Sequence, residues 1–248
     1  MSIIKIKKFF LFILFLFLIP SSAMAGDLLL KSLGHGSFLI KGREKSVLIN
    51  PFKAIGCASD LNEQKGINAD FILASSKLAD EGYNPNDQLM FVEPGVYKFE
   101  DILLNGIEVP HDRVGGRRLG MATVWSWEQN NLKIVHMGGA AGEMDINNQI
   151  ILSRPDILFI SIGGGSKSYN GSEASNIVKT LKPSIVVPVH FMRGKNISDN
   201  CDFSNADFFL ENMQDFKVKY LGKSFEINSI ARLKVFPDPA DEFIILNE

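Results

Sequence analysis

Residues 156–162 read DILFISI and residues 184–189 read SIVVPV. Each is a short, continuous apolar run rich in β-branched residues, the pattern of a strand buried on both faces. Between them, residues 172–181 carry Ala174, Ile177, Val178 and Leu181 at helical spacing, with Ser172 as the expected N-cap. Lys182-Pro183 stops that helix, because proline has no amide hydrogen to donate. Strand, helix and strand in this order form a βαβ unit. Residues 205–212 (NADFFLEN) predict one more short helix.

Working outward, the front half is β-rich. Short strands are expected at 27–33 and 37–41, around a Gly34-His35-Gly36 turn. Residues 46–50 (SVLIN) form a buried strand that Pro51 ends, and 69–74 (ADFILA) read the same way. Strands at 90–92, 96–99 and 107–109 follow, with Pro94-Gly95 as a turn. Strands at 123–128 and 132–137 pair across Gln129-Asn130-Asn131. A β-rich half followed by an α/β half suits packed sheets with helices outside.

The N-terminus bounds the compartment. Lys5, Lys7 and Lys8 precede an apolar run at 9–19, and Ala23-Met24-Ala25 puts small residues at the −3 and −1 positions. That order predicts a secretory signal peptide at 1–25 and an exported chain, periplasmic or extracellular. The run is too short for a spanning helix, which needs ~20 residues, so no stable membrane insertion is expected after cleavage. Residues 26–248 are expected to form a single domain. Loss of the three lysines takes the formal charge from −2 to −5, which gives no case for nucleic acid as a partner. Cys57 and Cys201 could form a disulfide in an oxidising compartment or stay unpaired; sequence leaves both open.

Several strings, in order, resemble one family. Leu33-Gly34-His35-Gly36-Ser37-Phe38-Leu39-Ile40 is similar to an opening "LGHASFLI", and Leu48-Ile49-Asn50-Pro51-Phe52 to "LIDPF". Val109-Pro110-His111-Asp112 resembles a segment with a third-motif histidine, and Ile134-Val135-His136-Met137-Gly138-Gly139 resembles "ICHLGD". Glu173-Ala174, Leu181-Lys182-Pro183 and Val187-Pro188-Val189-His190-Phe191 complete the series. The family is the zinc-dependent hydrolases of metallo-β-lactamase fold, whose best-known branch is ascorbate-phosphate lactonase-like. The resemblance implies an α/β fold, a four-layer αβ/βα sandwich with a metal site at one edge between the sheets.

In such enzymes a metal lowers the pKa of bound water towards ~7 and so makes a hydroxide nucleophile. The resemblance places the core motif T-H-x-H-x-D-H on Ser75-Ser76-Lys77-Leu78-Ala79-Asp80-Glu81. Its three histidine positions hold Ser76, Leu78 and Glu81, and Asp80 alone survives. The bridging aspartate falls on Gly139, and the supporting aspartate of "LIDPF" on Asn50. His111 and His190 remain. Two readings follow. In one, Asp80, Glu81, His111 and His190 hold one divalent metal (Zn, Mn or Fe) as a residual site for a hydrolase of a small phosphorylated, lactone or ester substrate. In the other, no cofactor is held, the histidines are hydrogen-bonded relics, and the fold binds a small molecule or an envelope protein, or is structural. An inward Lys77 would oppose a metal.

Arg113, Arg117 and Arg118 flank Gly115-Gly116 beside His111, so Arg113 and Arg117, with His35, are candidates to recognise an anionic substrate. Gly163-Gly164-Gly165-Ser166-Lys167-Ser168 follows a strand but lacks the Walker spacing; it reads as a glycine turn with potential anion-binding amides. His136, Trp125 and Trp127 read as structural.

Overall fold

A computed structural model describes residues 28–63, 65–192, 201–214 and 216–221, and three further strands at 224–227, 233–234 and 242–246. The expected signal peptide lies outside the described residues. Two mixed sheets pack face to face. The first has the order β14-β13-β1-β2-β3-β4-β5, with β1 Leu28–Gly34, β2 Ser37–Lys41, β3 Ser46–Ile49, β4 Phe71–Leu73, β5 Met90–Phe91, β13 Ser224–Ile227 and β14 Leu233–Lys234. The second has the order β12-β15-β11-β10-β9-β8-β7-β6. Its strands are β6 Gly95–Phe99, β7 Ile102–Pro110, β8 Met121–Gln129, β9 Leu132–His136, β10 Ile157–Ser161, β11 Ile185–Val189, β12 Lys217–Leu221 and β15 Glu242–Leu246.

The core between the sheets comes from period-2 alternation. Leu28, Leu30, Phe38, Ile40, Val47, Ile49, Phe71 and Leu73 meet Leu104, Trp125, Trp127, Ile134, Phe159 and Val187 of the facing sheet. The intervening residues Val109, Val124, Val135, Leu158, Ile160 and Val186 face outward onto helix α2, Gly171–Leu181, through Ala174, Val178 and Leu181, and onto α3, Asp207–Glu211, through Phe209. The other face of the first sheet, at Leu39, Leu48 and Ile72, is covered by loop residues Ile67 and Ala69. This is the αβ/βα sandwich that the resemblance implies, with a thin outer layer on the first sheet. Among the described residues no helix is long and apolar enough to cross a membrane.

Two local expectations change. The N-cap of α2 is Asn170 rather than Ser172: its side chain accepts from Glu173 N while Glu173 reaches back, a reciprocal capping box. A further helix, α1 at Ile146–Leu152, went unread. Its N-cap Asp145 was visible in sequence, but Ile146, Ile150 and Ile151 are exposed, so it lacks an apolar core stripe. The β8–β9 turn forms as expected, with Asn130 and Asn131 both at positive φ, which matches the twist of the paired strands.

Strand polarity places the site. β1, β3 and β4 run the same way in the first sheet, as β7, β9, β10 and β11 do in the second. The segments that leave their carboxyl ends carry His35, Asn50, residues 75–81, His111, Gly138-Gly139, residues 163–168 and His190. Cross-sheet bonds seam this edge: His190 N donates to His35 O (3.0 Å), Thr123 N to Ser75 O (2.7 Å) and Trp125 Nε1 to Ala74 O (2.8 Å).

Candidate functional site

Asp80, Glu81, His111, Gly139 and His190, together with His35, Lys167, Ser168 and Phe203, line one small cavity of about 10 Å³, room for about one water. Positions from His35 to Phe203, 168 residues apart in sequence, thus converge, and every residue of the expected tetrad is among them. The way they are partnered differs from a ligand shell.

Glu81 is buried, and its carboxylate is fully committed. Asn50 Oδ1 accepts from Ser75 N (2.8 Å) and Asn50 Nδ2 donates to Ser75 Oγ (2.6 Å). The Ser75 hydroxyl proton therefore goes to Glu81 Oε2 (3.1 Å). Ser76 Oγ donates to Glu81 Oε1 (2.5 Å), and His111 Nε2–H donates to the same oxygen (2.5 Å). Burial alone would raise the Glu81 pKa, but the His111 bond and charge outweigh it and hold it at about 2. Burial lowers the His111 pKa, yet its bond to Glu81 prevails and raises it above the usual histidine value. The result is a buried carboxylate–imidazolium pair, with His111 Nδ1 lacking a partner among the described residues.

His190 is of the opposite kind. Ser161 Oγ donates to Gly138 O (2.8 Å), so at its 3.1 Å contact with His190 Nδ1 the ring must donate. We therefore assign the Nδ1–H tautomer, which leaves a lone pair on Nε2. That atom is buried and has no partner among the described residues. Burial first, and neighbouring His35 second, push the His190 pKa well below the usual value, so the ring is neutral. Phe203 and His35 pack against its ring. His136 is structural: Nε2–H donates to Gly36 O (3.1 Å), Nδ1 accepts from Gly138 N (3.1 Å), and burial lowers its pKa to about 4.

Asp80 is ion-paired with Lys167, whose ammonium reaches the cavity from the glycine turn after β10. Sequence had raised the objection of a cation at Lys77, but Lys77 points out and pairs with Glu93 (2.5 Å). The cation came from a residue that sequence reasoning had placed only in an anion-binding turn.

Glycines set the spacing. A Cβ on Gly36 would lie 2.4 Å from His190 Nε2. A Cβ on Gly139 would lie 2.2 Å from His111 Cε1 and 2.8 Å from Glu81 Oε2. The bridging-aspartate position is thus filled by the imidazole–carboxylate pair. His35, Asn50 and His190 all sit in the left-handed region (φ 58°, 42° and 48°), so three strained turns converge here.

The arginine candidates are partnered within the chain. Arg113 bonds Glu173 (Nη2 to Oε2, 2.8 Å), Ser168 O (2.7 Å) and Gly165 O, which ties the 113 loop to α2 and the glycine turn. Arg117 Nε donates to Val114 O (2.9 Å), and its side chain does not line the cavity. His35 does line it. Sequence reasoning missed Asp112, which is buried. Burial would raise its pKa, but four amides, from Leu119, Arg118, Val114 and Gly116, hold it at about 2 and shape the 112–120 loop. Among the described residues no three His, Cys, Asp or Glu side chains form a group that could hold a metal ion.

A larger cleft of about 530 Å³ opens beside the cavity and shares His35, Asp80, Lys167 and Phe203 with it. Ile55, Leu78 and Leu119 add apolar wall. Cys57, which lines this cleft, forms a disulfide with Cys201, Cα–Cα 4.5 Å, which settles the alternative that sequence left open.

Comparison with known proteins agrees with this architecture. The sequence profile described as "Beta-lactamase superfamily domain" matches residues 29–190. A UPF0173 protein of Pyrococcus abyssi is 26% identical over 180 residues, 64% of this chain and 80% of that one. A Thermotoga maritima protein, whose proposed activity is that of a Zn-dependent hydrolase of the metallo-beta-lactamase superfamily, superposes with TM-score 0.58 at 19% identity, covering 74% of this chain and 84% of that one. An isothiocyanate hydrolase from Delia radicum gut bacteria superposes with TM-score 0.55 at 14% identity, covering 75% of this chain and 92% of that one. At these identities the two structures speak for the fold.

Proposed function

Because this chain belongs to the beta-lactamase superfamily domain family, we propose that it is a metal-independent descendant of that family's hydrolases and uses the edge cleft to bind a small molecule. The observation that carries this reading is the Glu81–His111 pair. The residues present do not suit the family's metal. Glu81 spends both oxygens on Ser75, Ser76 and His111, and His111 spends Nε2 on Glu81. The position of the bridging aspartate has no room for a side chain, and Lys167 neutralises the surviving Asp80. These residues do not fit a dinuclear centre. The cleft of about 530 Å³, with an apolar wall and a polar floor, supports small-ligand binding.

The opening strings at Leu33–Ile40 and Leu48–Phe52 support a place beside the ascorbate-phosphate lactonase-like branch. The N-terminal pattern and the Cys57–Cys201 disulfide support work outside the cytoplasm, after cleavage to a single domain at 26–248.

One observation favours a second reading, a hydrolase with one metal. His190 Nε2 carries a bare lone pair and shares its cavity with Asp80, Glu81 and His111. Elemental mass spectrometry of the untagged mature protein decides between them. The metal-independent reading expects no stoichiometric metal and an unchanged result in the His111→Ala/His190→Ala variant. About one equivalent of transition metal, absent from that variant, would establish the one-metal hydrolase instead. A thermal-shift screen of small metabolites on the metal-free protein then seeks the ligand.

A further inference from the structure

We propose that the Lys167 ammonium stands where the family's metal stood, as a cation built into the chain. The inference rests on the metal-independent reading and deepens it. Five of the seven positions that the resemblance assigns to metal ligands, 80, 81, 111, 139 and 190, line one cavity, and Lys167 enters that same cavity. It is bonded to Asp80, the one motif aspartate that survives.

The chain delivers this side chain deliberately. Gly164 and Gly165 take positive φ (78° and 70°), turning the segment after β10 back toward the edge. Gly163 N donates to His190 O (2.8 Å), Ser204 N to Gly163 O (2.7 Å) and Ser166 N to Asp202 Oδ2 (2.9 Å). Arg113 holds the carbonyls of Gly165 and Ser168. Both flanks of Lys167 are therefore pinned, and its half-buried stem has a fixed origin (side-chain exposure 29%, against 14% for Asp80).

Geometry argues the same way. Asp80 already meets the Lys167 ammonium, and a metal dication entering the cavity would meet that ammonium at close range. With the ammonium removed, Asp80 and the bare His190 Nε2 would be left facing one cavity, while Glu81 stays bonded to Ser75, Ser76 and His111. A carboxylate and a neutral imidazole, with water completing the shell, suit zinc, manganese or iron.

The test uses the mature chain and its Lys167→Met and Asp80→Asn/Lys167→Met variants. Each is titrated with Zn²⁺ and Mn²⁺ by calorimetry, and melted with and without metal. Wild type is expected to take up neither ion. Lys167→Met is expected to take about one equivalent and melt higher with it, and the double variant to lose both gains. If Lys167→Met folds only when metal is added, the proposal is likewise supported. A folded Lys167→Met chain that takes no metal, or one that stays unfolded with either ion, overturns it. Equal uptake by wild type and Lys167→Met would instead sink the metal-independent reading on which it rests.

Discussion

Replacing Glu81 with glutamine keeps the shape and removes the charge. In the native protein the Glu81 pKa falls from 4.5 to about 2, against its burial, because His111 and two serine hydroxyls bond its oxygens. At 1.36 kcal/mol per pKa unit, a shift of that size corresponds to about 3 kcal/mol. Breaking one side of a buried pair costs a similar ~3–5 kcal/mol, because it strands the other charge. The same interaction raises the His111 pKa, so the two shifts are not added. The signs give a window. The carboxylate's contribution is present above its unfolded value of 4.5 and is lost as pH falls towards about 2. The histidine's contribution is full below its unfolded value of 6.5 and is lost as pH rises through the elevated native value. The stability gap between wild type and Glu81→Gln should therefore peak at about pH 5–6. There it should reach about 3 kcal/mol, or roughly 6–12 °C in melting temperature for a domain of this size. Urea denaturation of both proteins from acid to mildly alkaline pH measures it. A gap that is flat with pH, or below about 1 kcal/mol at its maximum, refutes a buried ion pair.

Three further outcomes follow from the same geometry. Asn50→Asp loses the donor to Ser75 Oγ and adds a second buried carboxylate beside Glu81, so it should destabilise by about 2–4 kcal/mol at neutral pH and recover partly in acid, read by thermal melts. The Cys57–Cys201 bond spans 144 residues, so the Cys57→Ser/Cys201→Ser variant should lose roughly 2–5 kcal/mol in denaturant titration. Gly36→Ala drives a methyl to within 2.4 Å of His190 Nε2 and should cost about 1–3 kcal/mol, while a variant as stable as wild type would show that the His190 ring swings freely.

Much of the fold was legible because strands and helices announce themselves locally. The apolar runs at β10 and β11, the helical spacing of α2 and the Asn130-Asn131 turn depend on neighbours a few residues away, and each formed where its pattern stood. Helix α1 was not legible because its outer isoleucines face solvent and leave no amphipathic stripe. The candidate residues Asp80, Glu81, His111 and His190 were nameable from their place in a known order of motifs, and the losses at Ser76, Leu78 and Gly139 were plain in the letters.

How those residues are partnered is a property of three-dimensional approach, which letters do not carry. Glu81 looked like a substitute ligand until His111, 30 positions away, was found on its Oε1. Arg113 reads in the letters as a free anion receptor, whereas Glu173 and two carbonyls bond its guanidinium. Lys77 and Lys167 are the same residue type, yet one salt-bridges outward to Glu93 and the other enters the cavity. Sequence alone put the motif residues at a sheet edge only through the family resemblance, because local pattern fixes strands and helices but not their order. Only the tertiary structure decided which of them neutralise one another, because Coulomb energy and hydrogen bonding act over a few ångströms, between residues the chain keeps far apart.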